Sequence, residues 1–298
     1  VFTKMCELAN IRQRKIVGVS KGNDFFEKAE NISHAWNAVN IGASWFLVDT
    51  TWDSGAIQDN RFNKKYSTDF LFLPAEAFVL THFPDDAEFQ FLEKPISKVD
   101  FNSLPYLNGK FFKFGLQLLD PYFSVLRVKN YFYVRLKAPA QMTFSAKLEV
   151  DKSREEIKNS WIFNKENDVW ELRCIFPKPA VYHLNIFANF SKSDDSTELL
   201  EGVARFLIES TESSSLFYPH LFKSAFQNEF SIIKPLIYDP TVKGFFAVEF
   251  KTSKNVDFIA NLSGASGKEY RNSYLIYPKE QSKVLYVYLP ATGNLSLT

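Results

Sequence analysis

The chain has 298 residues, 35 Lys plus Arg against 34 Asp plus Glu, and only two cysteines. That length exceeds the roughly 250 residues at which a single hydrophobic core stops growing, so several domains are expected. A net charge of +1 with no long run of one sign excludes a nucleic-acid track or a polybasic membrane patch, and Cys6 and Cys174, far apart and without a C-x-x-C spacing, exclude a disulfide framework and a cysteine-rich zinc site.

Two unlinked cysteines fit a reducing, intracellular setting. The sequons at Asn31, Asn189, Asn261 and Asn294 read as chance matches to a short pattern. No apolar run approaches the roughly 20 residues of a membrane span, and no charged-then-apolar leader opens the chain, so a soluble protein is expected. The first element reads as a helix with Phe2, Met5, Cys6 and Leu8 or Ala9 on one apolar face. Because that helix is already under way at Val1, and the alternating run "YVYLPATGNLSLT" stops without a closing turn, the chain reads as a fragment cut at both ends.

The next segment, "SHAWNAVNIGASWFLVDTTWD" (33–53), alternates apolar and polar residues over 36–41 and again over 44–50. Ile41-Gly42 is the expected turn, glycine supplying a positive φ. In that register His34 stands directly opposite Asp49, on one face, with Cβ atoms about 5 Å apart. A carboxylate that holds one imidazole nitrogen while the other points outward is the base-plus-orienter half of a nucleophilic triad. The same contact is also an ordinary cross-strand pair, and Trp36, Trp45 and Trp52 around it are either a water-excluding wall or simply core. His82, in "THFPDD", and His183 and His220 further on have no partner acid at a persuasive spacing and read as core or surface residues.

Near Lys94-Pro-Ile-Ser-Lys-Val-Asp100 the composition changes, and from Phe101 onward the pattern is expected to be period-two alternation punctuated by Pro and Gly. "YFYVRLKAPAQMTFSAKLEV" (131–150) and "DVWELRCIFPKPAVYHLNIFANF" (168–190) read as strands of an antiparallel sandwich. Sliding the chain by 114 positions superposes Pro105 on Pro219, Phe112 on Phe226, Pro121 on Pro235, Phe132 on Phe246, Val134 on Val248 and Phe144 on Phe258. An internal duplication is therefore expected. The segments are residues 1–95, a first sandwich at 101–212, a linker at 211–215 and a second, shortened sandwich at 216–298.

The motifs in "HAWNAVNIGASWFLVDTTWD" resemble the His and Asp motifs of the transglutaminase-like superfamily, H-x-W-N, W-x-x-V-D and T-x-W. The following "DFLFLPAEAFVLTHFPDDAEFQFL" (69–92) is similar to the segment that the kyphoscoliosis peptidase family and its hillarin-like relatives place after that core. The resemblance implies an α+β fold: the C-terminal part of a papain-like, transglutaminase-like core, followed by two Ig-like antiparallel β-sandwich repeats. It also implies a Cys-His-Asp triad, with His34 as base and Asp49 as orienting acid. The family's G-V-C-x-G-Y nucleophile motif has no match here, and "VFTKMCELANI" (1–11) looks like the continuation of the helix that carries it. The nucleophile would then lie about two helical turns before Phe2.

Cys6 sits on the apolar stripe, away from a helix start that would lower a thiol pKa, and Cys174 lies in a strand, so neither is expected to replace it. No Ca²⁺-loop motif is present, so no metal or cofactor is expected. Two functions compete. One is a cysteine peptidase or acyltransferase acting on cytoskeletal proteins, silent in this chain for want of its thiol. The other is a non-catalytic scaffold that binds contractile or cortical proteins through sandwich edges. Both imply a cytoplasmic, cytoskeleton-associated protein with no nucleic-acid or membrane partner.

Overall fold

The computed structural model describes residues 1–22, 32–58, 61–124, 126–190, 199–216, 218, 230–234, 244–252, 258, 260, 262–264, 270, 273–289 and 295–297. His220 lies outside the described residues.

The first part is built on helix α1 (Phe2–Leu8) and strands β1 (Gln13–Ser20), β2 (Ile32–Ile41) and β3 (Ser44–Val48). After them come β4 (Gly55–Gln58), β5 (Arg61–Lys64), β6 (Leu71–Leu73), α2 (Ala75–Phe78) and β7 (His82–Pro84). Five of these strands form an antiparallel sheet in the order β6-β3-β2-β1-β7. One face carries the apolar cluster of Ile16, Trp36, Ala38, Leu47, Phe70 and Phe78. The other packs Val39 and Val48 against Cys6 of α1. The expected helix stripe is narrower than its spacing suggests: Cys6 is buried and Phe2 packs beside it, but Met5 and Leu8 are exposed. A helix this short rests on the sheet along one i, i+4 edge only.

The hairpin forms, in a register two residues from the expected one. Asn37 pairs with Val48 and Ile41 with Ser44, so the two-residue turn is Gly42-Ala43. Both turn residues have positive φ, 57° and 72°, the requirement of a turn whose twist matches its strands. A two-residue displacement preserves the face of every side chain, whereas a one-residue slip would reverse it. His34 and Asp49 therefore remain on the same side, as diagonal rather than direct neighbours.

From Phe101 the first elements are helical, contrary to the expected alternation: α3 (Lys98–Ser103), the short strand β8 (Tyr106–Leu107) and α4 (Gly109–Lys113). Their caps explain them. Ser97 Oγ accepts from Asp100 N at 3.1 Å while Asp100 Oδ2 accepts from Ser97 N at 3.1 Å, and Asn108 Oδ1 accepts from Lys110 N at 2.8 Å. Alternation begins at β9 (Gln117–Asp120) and continues through β10 (Leu126–Val128), β11 (Tyr131–Lys137), β12 (Met142–Val150), β13 (Trp161–Glu166), β14 (Val169–Ile175), β15 (Ala180–Phe190) and β16 (Glu201–Ser210). Two sheets, β10-β16-β15-β12 and β13-β14-β11-β9, enclose one core. Phe132, Val134 and Leu136 of β11 and Leu172 and Cys174 of β14 face Phe144, Leu148, Leu184, Ile186 and Phe206 across it.

The remaining strands are β17 (Ser231–Lys234), β18 (Gly244–Lys251), β19 (Leu262–Gly264), β20 (Tyr274–Pro278), β21 (Lys283–Leu289) and β22 (Leu295–Leu297). Moving β9 and β14 along by 114 residues lands on β17 and β21 end for end, and β11 lands within β18. The sheet order β20-β21-β18-β17 repeats β13-β14-β11-β9. The sequence duplication is thus a duplication of topology. Ile162, Ile175 and Tyr218 pack with Ile232 and Val248 where the copies meet.

The seam between the five-stranded sheet and the first sandwich is charged and buried. Lys21 follows β1, is wholly buried, and donates from Nζ to the carbonyls of Phe101 and, at 3.0 Å, Leu104 at the end of α3. Its ammonium also lies 4.4 Å from the centre of the Phe101 ring. On the other side of the seam Lys110 and Lys113 of α4 reach Asp69 at 3.4 and 3.2 Å.

Burial, helped by the Lys98 charge, pulls the Lys21 pKa down to about 7. Even the neutral amine has two hydrogens for two carbonyls. Because the unfolded chain keeps its proton to about pH 10.4 and the folded one does not, stability should rise with pH between those values. Lys21→Met is expected to lower stability by about 1–3 kcal/mol by orphaning the carbonyls and to remove that rise. Urea unfolding of both proteins near neutral pH and near pH 10 checks it; an equal pH slope in the two refutes it.

Candidate active site

His34, Asp49 and His82 converge on the apolar face of the five-stranded sheet. His34 projects from β2 and His82 from β7, with β1 between them. The two outer strands are therefore about 10 Å apart, twice the strand spacing. The residues of β1 beneath the rings are small: Gly18 pairs with His34, and Ser20 pairs with His82. The imidazoles can lean together over them, and their centroids are 5.6 Å apart.

Asp49 enters from the end of β3, where its N–H bonds the carbonyl of Phe70 at 3.2 Å. Its Oδ1 accepts from the N–H groups of Thr51 and Trp52 at 2.9 and 3.1 Å. Its Oδ2 faces His34 Nε2 at 2.6 Å and His82 Nε2 at 3.0 Å. A carboxylate only accepts, so each facing nitrogen carries its proton. His34 then has Nδ1 free of that bond, and its side chain remains 12% exposed while those of Asp49 and His82 are fully buried.

Burial works against the Asp49 charge, but hydrogen bonds from both imidazoles outweigh it and hold the carboxyl well below its usual range. Burial lowers the His82 pKa, against the pull of Asp49, and keeps that ring neutral. Aromatic rings close the group in. Phe78 stacks on His82 at 4.1 Å, and Trp52 lies 4.6 Å from His82 and 5.4 Å from His34. Asp53 steadies this wall by accepting from Phe70 N at 3.0 Å and from the Ser67 hydroxyl at 2.9 Å.

Two histidines and a carboxylate with ligand atoms all within 4.8 Å are also a set that can chelate a cation. The 2.6 Å between His34 Nε2 and Asp49 Oδ2 is shorter than the roughly 3.3 Å between two ligands on a tetrahedral ion with bonds near 2.0 Å. As arranged, the group is hydrogen-bonded.

The structure thus brings His34 and Asp49 together and adds a third member. His82 has a partner acid after all, as does His183, whose Nε2 lies 2.8 Å from Asp151 Oδ1 in the first sandwich. Both acids are distant in sequence, 33 and 32 residues away, and reach their histidines through tertiary pairing that no local spacing reports. Cys6 packs with Val39 on the face of β2 opposite to Trp36 and His34. Cys174 is fully buried in the sandwich core, where burial pushes its thiol pKa well up.

The KY-like, immunoglobulin-like domain family matches residues 98–221, the first sandwich with its two capped helices. Human kyphoscoliosis peptidase is 27% identical over 314 aligned residues, covering all of this chain and 46% of that protein. A LIM and transglutaminase domain protein of Caenorhabditis elegans, ltd-1, is 26% identical over 40% of the chain and 19% of its own length. Cytokinesis protein 3 of Schizosaccharomyces pombe is 28% identical over 46% of the chain and 16% of its own length. The chain spans about half the length of the kyphoscoliosis peptidases it matches. The chain is thus similar along its whole length to kyphoscoliosis peptidases, and its residues 98–221 match the KY-like, immunoglobulin-like domain family.

Proposed function

We propose that this chain carries the base and orienting acid of a Cys-His-Asp acyl-transfer site, and that the thiol comes from the segment preceding Val1. The observation that carries the proposal is the His34–Asp49 contact of 2.6 Å, with Asp49 locked from behind by two backbone N–H groups. An imidazole held by Nε2 presents Nδ1 as a base. It would take the proton of a cysteine as the sulfur attacks a peptide or glutamine carboxamide carbonyl, and return it to the departing amine. The acyl-enzyme then passes to water or to a second amine.

The direction of α1 supports the placement of the thiol. Thr3 Oγ1 lies 3.3 Å from Asn37 Nδ2, and Cys6 packs on Val39, so α1 runs parallel to β2. Continued backwards by two turns, about 11 Å, the helix reaches the level of the His34 end of β2, about 10 Å along the strand from Asn37, on the opposite face of the sheet, so its start must pass the strand end to bring a thiol to His34. A thiol at a helix start there would have a lowered pKa.

The substrates are cytoskeletal proteins. The name of cytokinesis protein 3 among the relatives supports this, and an intracellular site suits unlinked cysteines. No described helix is long and apolar enough to cross a membrane.

The test is mass-mapped alkylation of the full-length protein with limiting iodoacetamide, across about pH 5 to 9, beside a His34→Ala control. One cysteine upstream of Val1 is expected to react fast at low pH and to lose that reactivity in the control. Uniform cysteine reactivity overturns the proposal and leaves a scaffold that uses its sandwich edges.

A further inference from the structure

We propose that His82 is a positioning residue for the His34–Asp49 pair: its Nε2–H occupies the second acceptor direction of Asp49 Oδ2 and so fixes the orientation in which the carboxylate holds His34. The inference rests on the acyl-transfer reading of the site and adds a member to it.

Asp49 has no slack in this arrangement. Two backbone donors hold Oδ1 and two imidazoles hold Oδ2. Remove the His82 donor and one buried acceptor direction is empty, so the carboxylate can turn about its Cβ–Cγ bond toward whichever donor remains best placed. His34, on the exposed side, then has a moving anchor. His82 itself cannot move far. Its Nδ1 lies 2.8 Å from Thr81 Oγ1, and its ring is held between Phe78 and Trp52.

The tautomer of His82 follows from the same contacts. The Thr81 hydroxyl has two acceptors within reach, His82 Nδ1 at 2.8 Å and the Phe78 carbonyl at 3.2 Å. Donation along the shorter path leaves Nδ1 without a proton and places the proton on Nε2, facing Asp49. The hydroxyl therefore selects the form of His82 that can support the carboxylate. A ring in the opposite form would set a lone pair against the carboxylate oxygen. Thr81 is tied in turn to the seam, because its carbonyl accepts the N–H of Lys21 at 2.8 Å.

The test is imidazole ¹⁵N NMR on this chain, which needs no thiol and so separates this inference from the acyl-transfer proposal. In the unmodified chain His34 and His82 should each show one Nε2–H tautomer. In His82→Leu, with the amide spectrum of the sheet retained, His34 should lose its single tautomer and show exchange between two. His82→Gln, whose side-chain amide reaches the place of Nε2, should restore it, and His82→Asn, whose amide stops at the place of Nδ1, should not. If the leucine variant does not fold, the contrast between Gln and Asn decides. An unchanged His34 signal in the variants, or an Nδ1–H form of His82 in the unmodified chain, overturns the inference. The expected NMR pattern together with uniform cysteine reactivity in the full-length protein would sink the reaction and leave the positioning of His34 by His82 intact.

Discussion

Replacing Asp49 by alanine is expected to destabilise the chain by about 3–5 kcal/mol, because several buried donors are left unsatisfied at about 1–3 kcal/mol each. The carboxylate is the common acceptor of two backbone N–H groups and two imidazoles. Without it, His82 is left fully buried with an unanswered donor, and the turn after β3 loses the bonds that fold it back toward Phe70. Asp49→Asn is milder for stability, since size is retained. It is not neutral, because one edge of the amide must point its own N–H groups at donors. Under the acyl-transfer proposal, Asp49→Asn in the full-length protein is expected to lower turnover on the order of 10⁴-fold, as the comparable change does in a nucleophilic triad.

Acid provides an independent check. The Asp49 pKa is depressed in the folded chain, so its stabilisation is complete above the unfolded value near 3.9 and is lost as pH falls below it. His82, also lowered, acts at higher pH. Between its folded value and about 6.5 the unfolded state binds the extra proton, so stability already declines as pH falls through that window. Urea unfolding at descending pH should show both stages in the parent chain and a smaller lower one in Asp49→Asn, since Asp151, Asp168 and Glu249, also held low by their partners, still titrate there.

Gly18→Ala is the second large effect expected, about 3 kcal/mol, at the top of the usual overpacking range. A Cβ there would lie 2.2 Å from the carbonyl oxygen of Phe83, 2.7 Å from Cα of Pro84 and 2.9 Å from Cη2 of Trp36. Two of those three atoms are backbone of β7, so relief requires the strand that carries His82 to move away from β1. The variant should therefore perturb the imidazole signals of both histidines as well as the unfolding midpoint. Gly202→Ala is the control, since its nearest foreign atom is 3.9 Å away. Comparable losses in the two variants would show that the close packing of β1 on β7 is not what glycine serves.

The parts of this fold that were legible in the sequence are those whose signal is local or repeated. The alternation of β11 and β12 is visible as Phe132, Val134 and Leu136, then Phe144, Ala146 and Leu148, and each set is buried in the sandwich core. The 114-residue offset marked the repeated strands because both copies keep apolar residues at matching positions. His34 and Asp49 were legible because they share a hairpin, where face is set by parity and survives a register error of two. That error came from Ala43, a residue type that rarely adopts positive φ. The helices α3 and α4 were not legible. Each is too short to show a 3.6-residue period, and their capping residues Ser97 and Asn108 were the only local sign.

His82 was hidden for a different reason. Its acid lies four strands earlier in the chain, and the only trace in the sequence is on β1, the strand between β2 and β7 in the sheet, where Gly18 and Ser20 alternate as small residues. A pair of small residues on one face of a central strand marks room for side chains from both neighbours to meet above it. Without the pairing of β1 with β7, nothing tells which neighbours those are.

The seam at Lys21 bears on how such a protein can be inherited. Modules that are exchanged between genes need joints that are indifferent to what lies on the other side. Here one partner brings a buried amine and the other brings the carbonyls that answer it, so joining either half to an unrelated neighbour would bury one of these polar groups without its partner. The sheet with its histidines and the first sandwich are therefore expected to be exchanged together rather than singly.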